Sequence, residues 1–171
     1  EAAGARSVAV LAPLDLKHPP EYDFRPSDAA KVLDADVIFW GGYEGFVRKL
    51  VEANDVPPER LYRIVTNNAP QNLKEQTRAI ARHIGTESEQ QAWEARFDAL
   101  WEGIIAEAQR REVANIKVVV NFHQEQFVRS LGYNVVGVFG QDELTPRTIA
   151  DLLAANPDMV IDNWHNAMGK P

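Results

Sequence analysis

Histidine is scarce in this chain, with four in 171 residues: His18, His83, His123 and His165. Three of them sit just past short apolar runs that read as strands. His18 follows the first such run. His123 follows IKVVVN with only Phe122 between, and His165 lies three residues beyond Asp162, which ends the last run. In open parallel sheets, ligands bind at the carboxyl ends of the strands. Neutral imidazole together with carboxylate suits a borderline cation such as Zn²⁺, and also serves Mn²⁺ or Fe²⁺. His18, His123, His165 and Asp162 are therefore the expected metal ligands. Any one of these histidines could equally be hydrogen-bonded to backbone. His83 falls near the end of an expected helix, where a cation complements the helix dipole, and reads as structural.

Other chemistry is excluded or weakly signalled. There is no cysteine, so disulfides, thiolate zinc sites and cysteine nucleophiles are ruled out. Gly41-Gly42 lacks the Lys-Ser/Thr of a phosphate loop. No G-x-S-x-G elbow and no H-E-x-x-H helix is present. Lys and Arg number 18 against 25 Asp and Glu, a formal charge of −7 with no basic block, which argues against a nucleic-acid partner. No apolar run approaches the roughly 18 residues of a membrane span. The opening residues lack a basic-then-apolar leader pattern, which suggests a cytosolic or already processed chain.

The elements that must position these groups alternate between strand and helix. Apolar runs at residues 7–12, 36–40, 61–66, 116–121, 134–139 and 159–162 read as strands. Helices are expected at 28–33, capped by Ser27, at 44–53, at 72–84, stopped by Gly85, and at 124–131. Another is expected from Thr145-Pro146 to about residue 155, with Pro at the first helical position. Thr86 and Glu89 make a T-x-x-E capping box that opens a Pro-free stretch to about residue 114. Along it Trp93, Phe97, Leu100, Trp101, Ile104 and Ala108 form one apolar stripe, on a helix of about 40 Å.

The alternation predicts an α/β protein made of two small parallel-sheet lobes joined by a long backbone helix. The expected divisions are an N-terminal lobe at 1–70, a helical connector at 71–114 and a C-terminal lobe at 115–171. An internal echo supports two related lobes. Residues 26–40 and 146–162 each run Pro, short helix, acidic residue, apolar strand.

Residues 8–50 resemble the amino-terminal lobe of the zinc/manganese solute-binding proteins of bacterial ABC transporters. The likeness is carried by His18, Pro26-Ser27-Asp28, Ala35-Asp36, the run VIFW and Gly42-Tyr43-Glu44. The stretch VVVNFHQEQFVRSLGYNVVGVFG resembles that family's second-lobe motif of strand, His, short aromatic-bearing helix, Gly and strand. The resemblance implies capture of a divalent metal, Zn²⁺ or Mn²⁺, for delivery to an ABC transporter permease. It implies a periplasmic or extracellular, membrane-associated monomer that is not an enzyme. His18 and His123 would match two family ligands. The family's further histidine before the connecting helix has no counterpart in VTNNAP at 65–70, so Glu21, Glu44 or water are alternatives for completing the shell. Two other readings stay open. One is a binding protein for a metal chelate, haem or corrinoid, walled by Trp40, Tyr43 and Trp164. The other is a metal-dependent hydrolase with Glu21 or Glu44 as general base.

Overall fold

The computed structural model describes residues 3–13, 16, 22–140 and 144–163. Its chain divides into two compact units, residues 5–66 and residues 67–171, the latter also taking in residues 2–4. Both are α/β, as the alternation predicts. Among the described residues no helix is long and apolar enough to cross a membrane.

The first unit is a strand–helix–strand arrangement with one further helix. Helix α1 spans Pro26–Asp34, strand β1 Ile38–Trp40, helix α2 Gly45–Ala53 and strand β2 Leu61–Arg63. The strands pair in parallel, with Ile38 opposite Leu61 and Trp40 opposite Arg63. Phe46, Val47 and Leu50 recur at helical spacing along α2, and all three are buried with Val32, Ile38 and Val56. Arg60 closes the end of α1, donating to the carbonyls of Val32 and Leu33 at 3.0 Å each and lying against that of Ala35. Helix carbonyls left without intrahelical donors are satisfied in this way.

Residues 7–12 are not a strand. The first-unit sheet has two strands among the described residues. Val8 and Val10 are 65% and 47% exposed, while Leu11 and Ala12 pack against the core. A strand needs a neighbour for its backbone groups, and here the carbonyl of Val10 instead accepts from Lys31 Nζ at 3.2 Å.

The second unit opens with an antiparallel helix pair, α3 at Pro70–Ile84 and α4 at Glu87–Arg110. Its 24 residues make α4 about 36 Å long. Gly85 makes the turn between the helices at φ +71°, a left-handed conformation that favours glycine. Lys74 pairs with Asp98 at 3.0 Å and Arg78 with Glu94 at 2.8 Å, one turn later on α3 and one turn earlier on α4. Buried Gln90 adds a bond to Glu94 at 2.7 Å.

The expected capping box at Thr86 and Glu89 does not form. The Thr86 hydroxyl donates to the carbonyl of Ala3, and Glu89 accepts from Ser88 Oγ at 2.8 Å. The hydroxyl is oriented by a distant carbonyl and makes no bond to the first-turn amides. The apolar stripe also divides. Trp93, Phe97 and Trp101 stack along α4, and Trp101 meets Phe127 at 6.1 Å. Leu100 and Ile104 are 71% and 46% exposed.

A three-stranded parallel sheet follows, ordered β4-β3-β5, from β3 at Lys117–Asn121, β4 at Asn134–Phe139 and β5 at Met159–Ile161. As the central strand, β3 is covered on both faces, and Val118, Val119, Val120 and Asn121 are all buried. Short helix α5, Glu125–Ser130, links β3 to β4, and α6, Pro146–Ala154, links β4 to β5. Thr145 caps α6 as predicted, its hydroxyl accepting from the Thr148 amide at 3.1 Å. At Gly137 a Cβ would stand 2.7 Å from Leu152 Cδ2, so the missing side chain lets α6 approach β4.

Candidate functional site

The carboxyl edge of the second unit's sheet brings two of the four predicted ligands into one cluster. The register sets Val120 beside Ile161. The next residue on each strand path is therefore Asn121 or Asp162. Asn121 has no solvent exposure, and its Nδ2 donates to Asp162 Oδ1 at 2.9 Å. Its Oδ1 accepts from the His123 backbone amide at 3.0 Å. Asp162 Oδ1 also accepts from the Asn163 amide at 2.7 Å.

The peptide that carries His123 is held on the other side as well. The Phe122 amide donates to the Phe139 carbonyl of β4 at 2.9 Å, and the Gln124 amide donates to the Asn121 carbonyl at 2.8 Å. The turn from β3 into α5 is thereby pinned at successive residues. The His123 side chain is exposed, with its ring against that of Phe122, centroids 3.8 Å apart. The exposed imidazole and the half-buried Asp162 carboxylate thus belong to the same sheet edge.

His18, His165, Glu21 and Trp164 lie outside the described residues. Among the described residues, no group of three His, Asp or Glu side chains is gathered closely enough to hold a metal ion. His83 lies on the last turn of α3, where the helix dipole argument put it.

The first unit's candidates are engaged locally. Glu44 accepts from the Gly41 amide through both carboxylate oxygens at 3.1 Å, closing the turn after β1. Gly42 sits at φ +90°, where a Cβ would lie 2.6 Å from Arg63 Nε, and that Nε donates to the Gly41 carbonyl at 3.2 Å. Trp40 packs against the first unit's core, whereas Tyr43 is exposed.

Two further residues organise these regions. Asp28, the acidic member of the Pro-Ser-Asp motif, is almost fully buried. It accepts from the Arg25 amide at 2.9 Å, the Tyr22 hydroxyl at 3.0 Å and Lys31 Nζ at 3.0 Å. The Arg25 amide, with Lys31 and Tyr22 adding to it, holds this carboxyl below the usual carboxylate range despite burial. Tyr22 meets Phe46 edge-on at 5.4 Å, fastening the chain ahead of α1 to the core. Asn121 is the residue that sequence reasoning missed. Its only signal is a polar amide closing an otherwise apolar run, VVVN.

No protein-family model and no curated protein matches the sequence. Solved structures do match. The chain is similar to the SBP FpvC in complex with a Ni²⁺ ion, from P. aeruginosa, with a TM-score of 0.66 and 19% identity. The similarity covers 93% of this chain and 71% of that one. At this identity the likeness is one of fold.

Proposed function

We propose that this chain is a metal-binding solute-binding protein that captures a divalent cation and presents it to an ABC transporter permease. The observation that supports the reading is the link, through Asn121, between the Asp162 carboxylate and the His123 backbone at the sheet's carboxyl edge, in a chain whose fold resembles a Ni²⁺-bound SBP. His18 and His165 complete the proposed ligand set, and Zn²⁺ or Mn²⁺ is the proposed cargo. The protein would work as a monomer in the periplasm or at the outer surface of the membrane.

Binding, not turnover, is the expected activity. The turn-closing bonds of Glu44 leave its carboxylate poorly placed to serve as a general base. Each ligating imidazole must be neutral to bind a cation, so affinity should fall as the solution is acidified.

Metal analysis of untagged protein, followed by calorimetric titration of the apo form with Zn²⁺, Mn²⁺ and Ni²⁺, tests the reading. His18→Ala, His123→Ala, His165→Ala and Asp162→Ala should each weaken binding by at least about tenfold. Wild-type affinity in both His123→Ala and Asp162→Ala would remove the metal site proposed here.

A further inference from the structure

The fully buried carboxamide of Asn121 is a group that the expected ligand set does not use. Its orientation is unambiguous. The Asp162 carboxylate can only accept and the His123 amide can only donate, so Nδ2 must face the first and Oδ1 the second. Turning the amide the other way would set two acceptors and two donors face to face and leave the fully buried Asn121 side chain unsatisfied. A neutral amide also suits the position chemically. A carboxylate at 121 would repel Asp162, and a cationic side chain would compete with a bound metal.

Resting on the metal-binding reading above, the geometry points to Asn121 as the positioning residue of the metal centre. One carboxamide fixes the His123 backbone and the Asp162 carboxylate relative to each other without itself touching the ion. The two residues are 39 positions apart in the chain and belong to different strand ends. Past the β3–β5 pairing, which runs to Val120 and Ile161, the Asn121 side chain links the two ends, and the backbone bonds of Phe122 and Gln124 hold the His123 side. Partners that orient ligands from behind in this way are typically worth about 10- to 100-fold in metal affinity.

The test uses the whole chain in its apo form, titrated calorimetrically with Zn²⁺ and with Ni²⁺. Wild type is compared with Asn121→Ala, Asn121→Asp, His123→Ala, Asp162→Ala and the control His83→Ala. Circular dichroism checks the fold, and amide hydrogen exchange is followed at His123. Asn121→Ala should weaken both metals by roughly 10- to 100-fold and speed exchange at His123. Asn121→Asp keeps the acceptor for the His123 amide and loses the donor to Asp162. It should therefore weaken binding while His123 exchange stays slow, a separation that a general loss of stability would not produce.

Folded Asn121 variants that bind within about twofold of wild type, while His123→Ala binds weakly, would overturn the positioning role and leave the metal-binding reading standing. Wild-type affinity in both His123→Ala and Asp162→Ala would overturn that reading, and the positioning role with it. A His123 amide that exchanges at an unprotected rate in wild type would overturn the bridge, however the variants fold.

Discussion

Asp28 in the first unit and Asn121 in the second are both buried polar side chains with three or fewer partners, but they work over different distances. Asp28 gathers Tyr22, Arg25 and Lys31, all within six residues of itself, and fastens a loop to the start of a helix. Asn121 reaches Asp162, 41 residues away, and joins the ends of two strands. Asp28 is charged and its proton equilibrium is shifted, whereas Asn121 has no proton to lose. The difference teaches that a local anchor organises one segment, while a non-local anchor sets the geometry between segments. Only the second kind can align groups that are remote in sequence.

Substitutions can break this contrast, beginning with the largest expected effect. Asn121→Leu keeps the branched shape but removes the bond to Asp162 and the bond from the His123 amide. It should destabilise the second unit by about 2–3 kcal/mol, measured by chemical denaturation. A loss below about 0.5 kcal/mol would mean that solvent or neighbouring groups replace the bridge.

Asp28→Ala should cost about 1–3 kcal/mol, because it removes charge-assisted bonds and the partner of the Arg25 amide. Trp40 fluorescence reports on it, since Trp40 packs against the first unit's core. Asp28→Asn should cost less, because the amide oxygen can still accept from the Arg25 amide.

Acid sharpens the comparison further. The folded Asp28 carboxyl titrates below its ordinary value, mainly because of the Arg25 amide bond. The linked stability is fully present above about pH 4, the ordinary carboxylate range, and is lost as pH falls through the lowered folded value. Asp28→Asn should flatten that part of the acid denaturation curve. Glu94, lowered chiefly by Arg78, contributes acid sensitivity of the same sign to the second unit, while Asn121→Leu should leave the shape of the curve unchanged.

The smallest effect is expected on the exposed flank of α4. Arg110 bonds Glu107 within a single helix turn, at 2.9 and 2.6 Å, and both side chains are solvated. Arg110→Gln should shift Tm by no more than about 1 °C, because exposed ion pairs contribute little.

Much of the fold was legible because its signals are local. Gly85 stops α3, Thr145-Pro146 opens α6, and the spacing of Phe46, Val47 and Leu50 marks the buried face of α2. The readings that failed were those in which a distant partner decided the outcome. Residues 7–12 have the composition of a strand, but strand formation depends on a neighbour that composition does not specify. Thr86 has the sequence of a capping box, but its hydroxyl goes to Ala3. Leu100 and Ile104 have the spacing of a core stripe, but they sit on a face of α4 that remains exposed.

The candidate site divides along the same line. Sequence by itself determined that His123 and Asp162 would lie at or just past the ends of strands of a parallel sheet, because apolar runs, turn residues and helix starts act over a few residues. Tertiary structure alone decided that those two ends share one buried carboxamide. That choice depends on strand order and register, with β5 placed beside β3 and Ile161 level with Val120. Register is a property of two paired strands, set by how their side chains pack on both faces of the sheet. No short stretch of sequence carries it.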